Sequence, residues 1–352
     1  MTVRDRPVSA GTVDQVAPQS DSVRFVPRGL IWIGAVVLLG AVCVLGLLIG
    51  SGDVPLSAVL PALTDPDGSP THAAVAARLD RVLLGVAAGA GFGVAGALIQ
   101  ALTRNPLADP GILGVNAGAS FAVVVGVLVF GISRVEQYLP FAFGGAVAAT
   151  VLVYGIASQG RTVPTPVRLT LVGVALAAVL GGLTQSLRLV DRETFDRMRF
   201  WGVGTLADRP AESLAVAGPW ILAGLVIAAL CAHPLNAVAL GDDLAVTVGA
   251  KVGRTRVLVV VAVTVLCGAA VAVAGPIAFV GLMVPHAVRW WTGPDQRWIL
   301  AFTVVLAPAL LVGADVLGRV MAPHEIDVGV VTALLGAPVL IALVRRRKAS
   351  AL

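Results

Sequence analysis

The stretch T-R-N-P-L-A-D-P-G-I-L-G, residues 103–114, interrupts a long apolar region with a stiff, polar turn. Runs rich in Ala, Val, Leu and Gly lie on both sides of it. Pro106 and Pro110 lack a backbone N–H and fix φ, so one helix ends before them and another begins after them. Asn105 and Asp109 have side chains that can cap helix starts. The stretch predicts a rigid turn between two apolar helices and leaves open whether the turn has a further function.

The composition of the 352 residues indicates a membrane protein. The chain is 57% hydrophobic and only 13% charged, whereas a soluble domain carries about 25% charged residues. Its net charge of +5 does not indicate nucleic-acid binding, because the basic residues stand singly in loops or lie at the two ends. Cys43, Cys231 and Cys267 lie in apolar runs, which favours buried hydrophobic side chains over disulfides or metal ligands.

A helix needs about 20 apolar residues to cross a bilayer. Ten candidate spans follow: 29–50, 82–102, 112–132, 139–158, 168–188, 213–233, 257–275, 276–292, 298–320 and 326–344. The apolar run 257–292 is too long for one span at about 1.5 Å per residue, and Gly275-Pro276 predicts a tight hairpin in its middle. The sequence therefore predicts an all-α membrane domain at 29–344, with a flexible tail at 1–28 and a basic tail at 345–352.

The basic residues predict that both termini are cytoplasmic. In that orientation 16 Lys and Arg lie inside and 9 outside, as the positive-inside rule requires. No ionisable residue is predicted at mid-depth in a span, so the buried relay of a proton-coupled carrier is missing. An ATP-independent channel or another secondary transporter stays open as an alternative.

The opening stretch belongs to a longer segment, residues 96–119, that resembles the signature of FecCD-type permeases, the membrane subunits of bacterial ABC importers for ferric siderophores, haem and cobalamin. Other segments resemble the family in order: R-L-x-R (78–81), L-V-G-V-A-L (171–176), L-G-D-D-L-A-V-T-V-G (240–249), G-P-I-A-F-V-G-L-M-V-P-H-A-V-R (275–289), G-A-D-V-L-G-R (313–319) and V-G-V-V-T-A-L-L-G-A-P (328–338). The resemblance implies a ten-helix, type II ABC importer permease in the bacterial cytoplasmic membrane. It implies no catalytic residue, cofactor or metal in this chain.

The sequence lacks a G-x-x-x-x-G-K-[ST] phosphate loop, so ATP-driven transport requires a separate ATPase, in two copies by the resemblance. Residues 240–256 predict a short cytoplasmic helix with acidic residues at its start, an apolar face and a glycine stop. The resemblance implies that this segment couples to the ATPase; a helix lying on the lipid surface is the alternative. Its predicted coupling residues are Leu240, Gly241, Asp242, Asp243, Leu244, Ala245, Val248, Gly249 and Arg254.

On the outer face, the resemblance implies that Arg78, Arg81 and Arg319 grip acidic residues of a substrate-binding protein. The alternative is that they pair within the chain, Arg81 with Asp80 and Arg319 with Asp315, four residues away on the same helical face. The family often has proline where this chain has Asp80 and Asp327, so the outer face carries added negative charge.

The transport pathway, by the resemblance, runs between this subunit and a second permease, either an identical copy or a paralogue. Thr165, Pro166 and Val167 match the gate region, and Gln185 either faces the pathway or bonds to a neighbouring helix. His286 stands alone and indicates no metal site. Ferric siderophore is the predicted cargo, with cobalamin and haem as alternatives.

Overall fold

The structure, a computed structural model, describes residues 27–50, 54–65, 67–159, 165–191, 195, 201–207, 209, 212–322 and 324–350. These residues form twelve α-helices of six residues or more and one 3₁₀ turn at Pro110–Leu113, and none of them forms a strand. The helices are α1 Arg28–Leu48, α2 Leu56–Thr64, α3 Pro70–Thr103, α4 Val115–Phe130, α5 Val135–Ser158, α6 Pro166–Val190, α7 Glu212–Ala239, α8 Asp242–Thr247, α9 Val252–Ala274, α10 Val280–Thr292, α11 Gln296–Val320 and α12 Val328–Ser350. The predicted N-terminal tail at 1–28 lies outside the described residues except for its last two.

Ten of these helices coincide with the ten predicted spans, so the all-α membrane class and the helix count near ten are confirmed. Seven of them, within the described part of the chain, are long and apolar enough to cross a membrane, and α4 and the first part of α12 are shorter apolar helices. The remaining two helices are α8, which lies in the predicted coupling segment, and α2, which the sequence analysis missed because nine residues are too few for a span.

The predicted start of the second span is wrong. The second span was predicted to begin at residue 82, but α3 begins at Pro70, where the Ser69 hydroxyl accepts a hydrogen bond from the His72 N–H. Its first three turns carry charged residues, which lower the local hydropathy and hide the helix from a search for apolar runs. At the other end of the chain, α12 continues to Ser350, into the region predicted as a tail at 345–352.

The apolar run 257–292 does break at Gly275-Pro276, as predicted, but the break is not a tight hairpin. Gly275 has a φ of 73°, residues 275–279 are not helical, and α10 begins only at Val280. The Thr205 N–H donates to the Ala274 carbonyl at 2.9 Å, so the loop before α7 covers the break. Non-helical backbone at membrane depth requires such cover from protein. The eighth span is therefore a thirteen-residue helix reached through an extended segment.

Three helices, α3, α9 and α11, form the centre of the bundle, and most of their residues are buried. By contrast, α1 and α6 are largely exposed along their length. We call the end of the bundle that carries Arg78 the outer end and the end that carries Asp242 the inner end, following the predicted orientation. Because α1 finishes beside Arg78 and α12 begins beside the outer loop at Gly204, the first and last helices both have their free ends at the inner end.

The backbones of α3 and α10 cross in direct contact at Gly96 and Gly281. A Cβ atom on Gly96 would lie 1.9 Å from the Gly281 carbonyl oxygen, so only glycine fits there. One turn further along α3, the buried Gln100 amide donates from Nε2 to the carbonyls of Gly281 and Leu282 at 3.1 and 3.2 Å, and its Oε1 accepts from Arg289. The short α10 is therefore fixed to α3 by backbone contact and by one buried amide.

We expect Gly96→Ala to lower the free energy of unfolding by about 1–3 kcal/mol or more, because the methyl group overpacks the crossing. Gly155→Ala is the matched control, since Gly155 is also helical but has no atom within 4 Å of its added Cβ. It should be neutral or gain about 0.5–1 kcal/mol from helix propensity. Thermal unfolding in detergent gives the melting temperatures of both variants. Equal melting temperatures would contradict the close backbone contact at Gly96.

Candidate docking sites at the two ends of the bundle

Arg78 and Arg319 cap the C-terminal end of α1. Both donate from Nη1 to backbone carbonyls of the last turn: Leu47 (3.0 Å) and Leu48 (2.8 Å) for Arg78, and Gly46 (2.7 Å) and Ile49 (2.8 Å) for Arg319. A helix leaves its last four carbonyls without partners of its own. The two arginines provide those partners, and they join α1 to α3 and α11.

The buried carboxylate of Asp315 holds Arg81 and Arg319 together. Asp315, 1% exposed, accepts from Arg81 Nε at 2.9 Å through Oδ1 and from Arg319 Nη2 through Oδ2. The Arg319–Asp315 pair is thus present, and Arg81 also pairs within the chain, although with Asp315 and not with its neighbour Asp80. Adjacent residues on a helix do not face each other. Arg81 instead points toward Asp315 of α11, and its Nη1 also donates at 2.7 Å to Oε2 of Glu325, in the loop after α11.

The three arginines predicted for docking meet at one polar cavity of about 370 Å³ at the outer end. Its lining is Gly50, Ala74, Ala77, Arg78, Arg81, Ala207, Arg319 and Glu325. Arg78 and Arg319 are only 7% and 8% exposed, so they line this cavity and do not stand on an open surface. Sequence analysis missed Glu325, which stands in a loop with no motif of its own.

At the inner end, α8 presents apolar side chains to solvent. Leu240, Leu244, Val246 and Val248 are 57–66% exposed, and we call these four residues the coupling patch. Ala245 was predicted on the same face, which is wrong: it is fully buried against Val238 and Val252. Val246 was missed, because a six-residue helix is too short for a reliable periodic pattern.

Glycines with positive φ bound the α8 helix on both sides. Gly241 precedes its first residue with a φ of 114°, and Gly249 follows its end with a φ of 80°, its N–H donating to the Val246 carbonyl at 2.9 Å. Asp243 and Arg254, both predicted for coupling, are exposed at this end. The helix therefore packs on the bundle through Ala245 and leaves the coupling patch accessible.

Asp242 is the charged centre of the inner end. Its Oδ1 accepts from Arg104, which follows α3, and its Oδ2 accepts from Arg256 Nη2 at 2.7 Å, in the first turns of α9. Arg104 also donates from Nε to the Val238 carbonyl of α7 at 3.0 Å. Neither arginine was identified from the sequence. The available signals were that Arg104 lies in the stretch 103–114 and that Arg256 ends the predicted coupling segment 240–256.

The stretch 103–114 forms the rigid turn that its prolines predict. Asp109 caps the 3₁₀ turn, accepting from the Gly111 N–H at 2.8 Å. Burial raises the pKa of the Asp109 carboxyl, although this hydrogen bond opposes the rise. Asn105 does not cap a helix as predicted: its Oδ1 accepts from the Leu107 N–H at 3.1 Å and closes a turn around Pro106.

The predicted gate residues lie on α6. Thr165 caps the helix, accepting weakly from the Arg168 N–H at 3.4 Å, and Pro166 is its first residue. Val167 is 68% exposed, and Gln185 near the other end of the helix is also exposed. The side chains of Val167 and Gln185 therefore point out of this subunit, so the alternative in which Gln185 packs between helices of the same chain is not what the structure shows.

These features define a membrane transport subunit with a polar cavity at one end and an apolar coupling patch at the other, and without a cluster of three metal-binding side chains among the described residues. The chain belongs to the FecCD transport family, whose model matches residues 38–346. The role of this family is that of a permease in ABC transporters, so the chain is a transport component and not an enzyme.

Individual proteins agree with this assignment. The chain is 49% identical to the ferric enterobactin transport system permease protein FepD of Escherichia coli K12, over 92% of this chain and 97% of the relative. It is 39% identical to the probable siderophore transport system permease protein YfiZ of Bacillus subtilis, over 88% and 93%. Among solved structures, an inward-facing metal-chelate type ABC transporter shares 26% identity and a TM-score of 0.80, over 90% of this chain and 99% of that one.

We expect Arg319→Gln to destabilise the protein by about 3–5 kcal/mol, because it leaves part of a buried ion cluster without its partner. Arg297→Gln is the matched control: Arg297 pairs with Asp295 at 3.2 Å at the inner end, but its side chain is 63% exposed. An exposed pair contributes about 0–1 kcal/mol. The measurement is thermal unfolding in detergent, and a shift no larger than that of the control would contradict the role of Arg319.

Proposed function

We propose that this ABC importer permease carries ferric siderophores. The observation that carries the proposal is the 49% identity to a ferric enterobactin permease over nearly the whole of both chains. Identity is lower, at 37% and 32%, to a cobalamin permease of Halobacterium salinarum and a hemin permease of Yersinia pestis. Those two cargoes are therefore the less favoured alternatives.

The ATPase binds to the coupling patch at the inner end. Four exposed apolar side chains on a short helix and the residues that flank it are a surface that needs a partner to bury it. The acidic residues Asp242 and Asp243 at the start of α8 give the patch a charged edge. In a two-subunit permease each copy binds one ATPase, which gives two ATPases in the transporter.

The substrate-binding protein docks at the outer cavity, where Arg78, Arg81 and Arg319 converge. Of the three, Arg81 is the residue that can exchange partners most easily, because Glu325 is 38% exposed and occupies one side of its guanidinium. An acidic side chain of the binding protein replaces Glu325 on Arg81. Charge pairs of this kind set recognition and association rate more than affinity.

The pathway runs along α6, between two permease subunits. Its exposed side chains include Val167, Leu171 and Val174, so α6 packs against α4 and α5 but leaves one face uncovered within the subunit. The second subunit is either a copy of this chain or a paralogue. The transporter lies in the bacterial cytoplasmic membrane, with the coupling patch and both chain ends in the cytoplasm.

Uptake by the reconstituted transporter tests the cargo. The full chain is assembled in liposomes with its ATPase and its binding protein, and uptake of iron-55 from ferric enterobactin is measured with and without ATP. Cobalamin and haem are tested as alternative cargoes in the same vesicles. ATP-dependent iron uptake supports the proposal. Uptake of cobalamin or haem alone would overturn the cargo, and uptake down a gradient without ATP would overturn the importer.

We expect Leu244→Asp to abolish binding of the ATPase, because it puts a charge in the middle of the apolar patch. The fold should be unaffected, since Leu244 is 57% exposed. Leu56→Asp is the matched control: Leu56 is 68% exposed at the start of α2, where an acidic side chain suits the helix dipole. Co-purification in detergent measures binding. Equal retention of the ATPase by both variants would place the ATPase elsewhere.

We expect Glu325→Gln to tighten docking of the binding protein by about two- to fivefold, the equivalent of one surface ion pair. The substitution removes the negative charge that competes for Arg81. Asp67→Asn is the control, because it removes the same charge from an exposed loop outside the cavity. Surface plasmon resonance gives both dissociation constants at low and high salt. A weaker or unchanged affinity of the Glu325 variant would contradict the exchange.

A further inference from the structure

We propose that Arg104 is a positioning residue that ties the coupling segment to α3, so that displacement of α8 by the ATPase is delivered to the membrane helices. This inference rests on the proposed docking of the ATPase at the coupling patch. It assigns a function to the arginine in the stretch 103–114, which would otherwise be only a turn. Arg104 need not touch the ATPase or the cargo itself, because it acts through Asp242.

The backbone of Arg104 is the first indication. It has a φ of 50°, and among the described residues only Phe279 is another non-glycine residue with positive φ. Arg104 occupies the C-cap of α3, where its N–H donates to the last carbonyls of the helix. Glycine is the usual residue at a left-handed helix end. An arginine there accepts an unfavourable backbone conformation, so its side chain has a role that glycine could not fill.

The side chain of Arg104 joins three helices. Nε donates to the Val238 carbonyl in the last turn of α7 at 3.0 Å, and Nη2 donates to Asp242 Oδ1 at the start of α8. The rigid fork of the guanidinium binds the two acceptors through separate nitrogens, whereas a lysine has only one nitrogen to offer both. One residue therefore fixes the end of α3 against both the helix before the coupling segment and the coupling helix itself.

Asp242 receives a second cation from the other side. Arg256, only 8% exposed, donates to its Oδ2 at 2.7 Å from α9. The coupling helix thus has a charged link to α3 and another to α9, both through the carboxylate of Asp242. Its apolar contact with the bundle is small, a cluster of Ala245, Val238 and Val252.

The length of α3 extends this link from the inner end of the bundle to the outer end. α3 is one continuous helix of 34 residues, about 50 Å long at 1.5 Å per residue. Arg78 and Arg81 stand near its outer end and Arg104 closes its inner end. A force applied to α8 therefore passes through Asp242 and Arg104 to α3. The same helix carries the docking arginines Arg78 and Arg81.

Arg104→Gly separates the side chain from the backbone. Glycine keeps the left-handed helix end, so thermal stability should not fall, while the links to Val238 and Asp242 are lost. In liposomes with the ATPase, the binding protein and ferric enterobactin, we expect the variant to retain the ATPase and hydrolyse ATP. Iron uptake per ATP should fall by at least about fivefold, the lower end of coupling between two sites.

Three further variants sharpen the test. Arg104→Lys keeps the charge but not the fork, so its uptake per ATP should lie between those of the wild type and Arg104→Gly. The loss of uptake per ATP in the double variant Arg104→Gly with Asp242→Asn should be smaller than the two single losses combined, since both break the link between Arg104 and Asp242. Arg297→Gln, which breaks an ion pair elsewhere at the inner end, should leave uptake per ATP unchanged.

An unchanged uptake per ATP in Arg104→Gly, beside an active wild type, would overturn this inference alone. Loss of the ATPase or of thermal stability in that variant would also overturn it, since Arg104 would then be a docking or a folding residue. A wild type that neither retains the ATPase nor takes up iron with ATP would overturn the proposed function, and this inference with it.

Discussion

A backbone N–H or carbonyl inside a bilayer has no water to bind, so every helix end and every break at membrane depth needs a partner from the protein. Side chains meet this requirement at two places here, and a backbone N–H meets it at a third. Arg78 and Arg319 bind the free carbonyls of α1, and Gln100 binds those at the start of α10. At the break after α9, the backbone N–H of Thr205 donates to the Ala274 carbonyl. The positions of these few polar residues decide which helices can end within the bundle and where.

The central position of α3 follows from the same requirement. Its small residues, including Gly96, let α10 and α11 approach so closely that backbone meets backbone. Polar side chains then stand at its outer end, near its inner end and at its C-cap: Arg81, Gln100 and Arg104. The helix α3 thus contributes to the outer cavity, to the contact with α10 and to the attachment of the coupling segment. Both proposed docking surfaces are therefore joined to the same helix.

Hydropathy was enough to predict the bundle, because a span of apolar residues has little alternative but to cross the membrane. Hydropathy failed where charge interrupts a helix, as in the first turns of α3, and where the helix is too short, as in α2. The candidate sites divide in the same way. The segment around Asp242 could be located from its pattern and resemblance, but its pairing with Arg104 and Arg256 joins residues far apart in sequence, which no local pattern records.

The capping of α1 by Arg319 has a consequence for biosynthesis. The hydrogen bond from Arg319 to the Gly46 carbonyl joins residues 273 positions apart. At about 5–20 residues per second, α1 leaves the ribosome tens of seconds before the residue that completes its end. During that interval its last carbonyls can bind only lipid headgroups, water or Arg78. A nascent chain that stops short of α11 therefore lacks one of the two arginines that complete the end of its first helix.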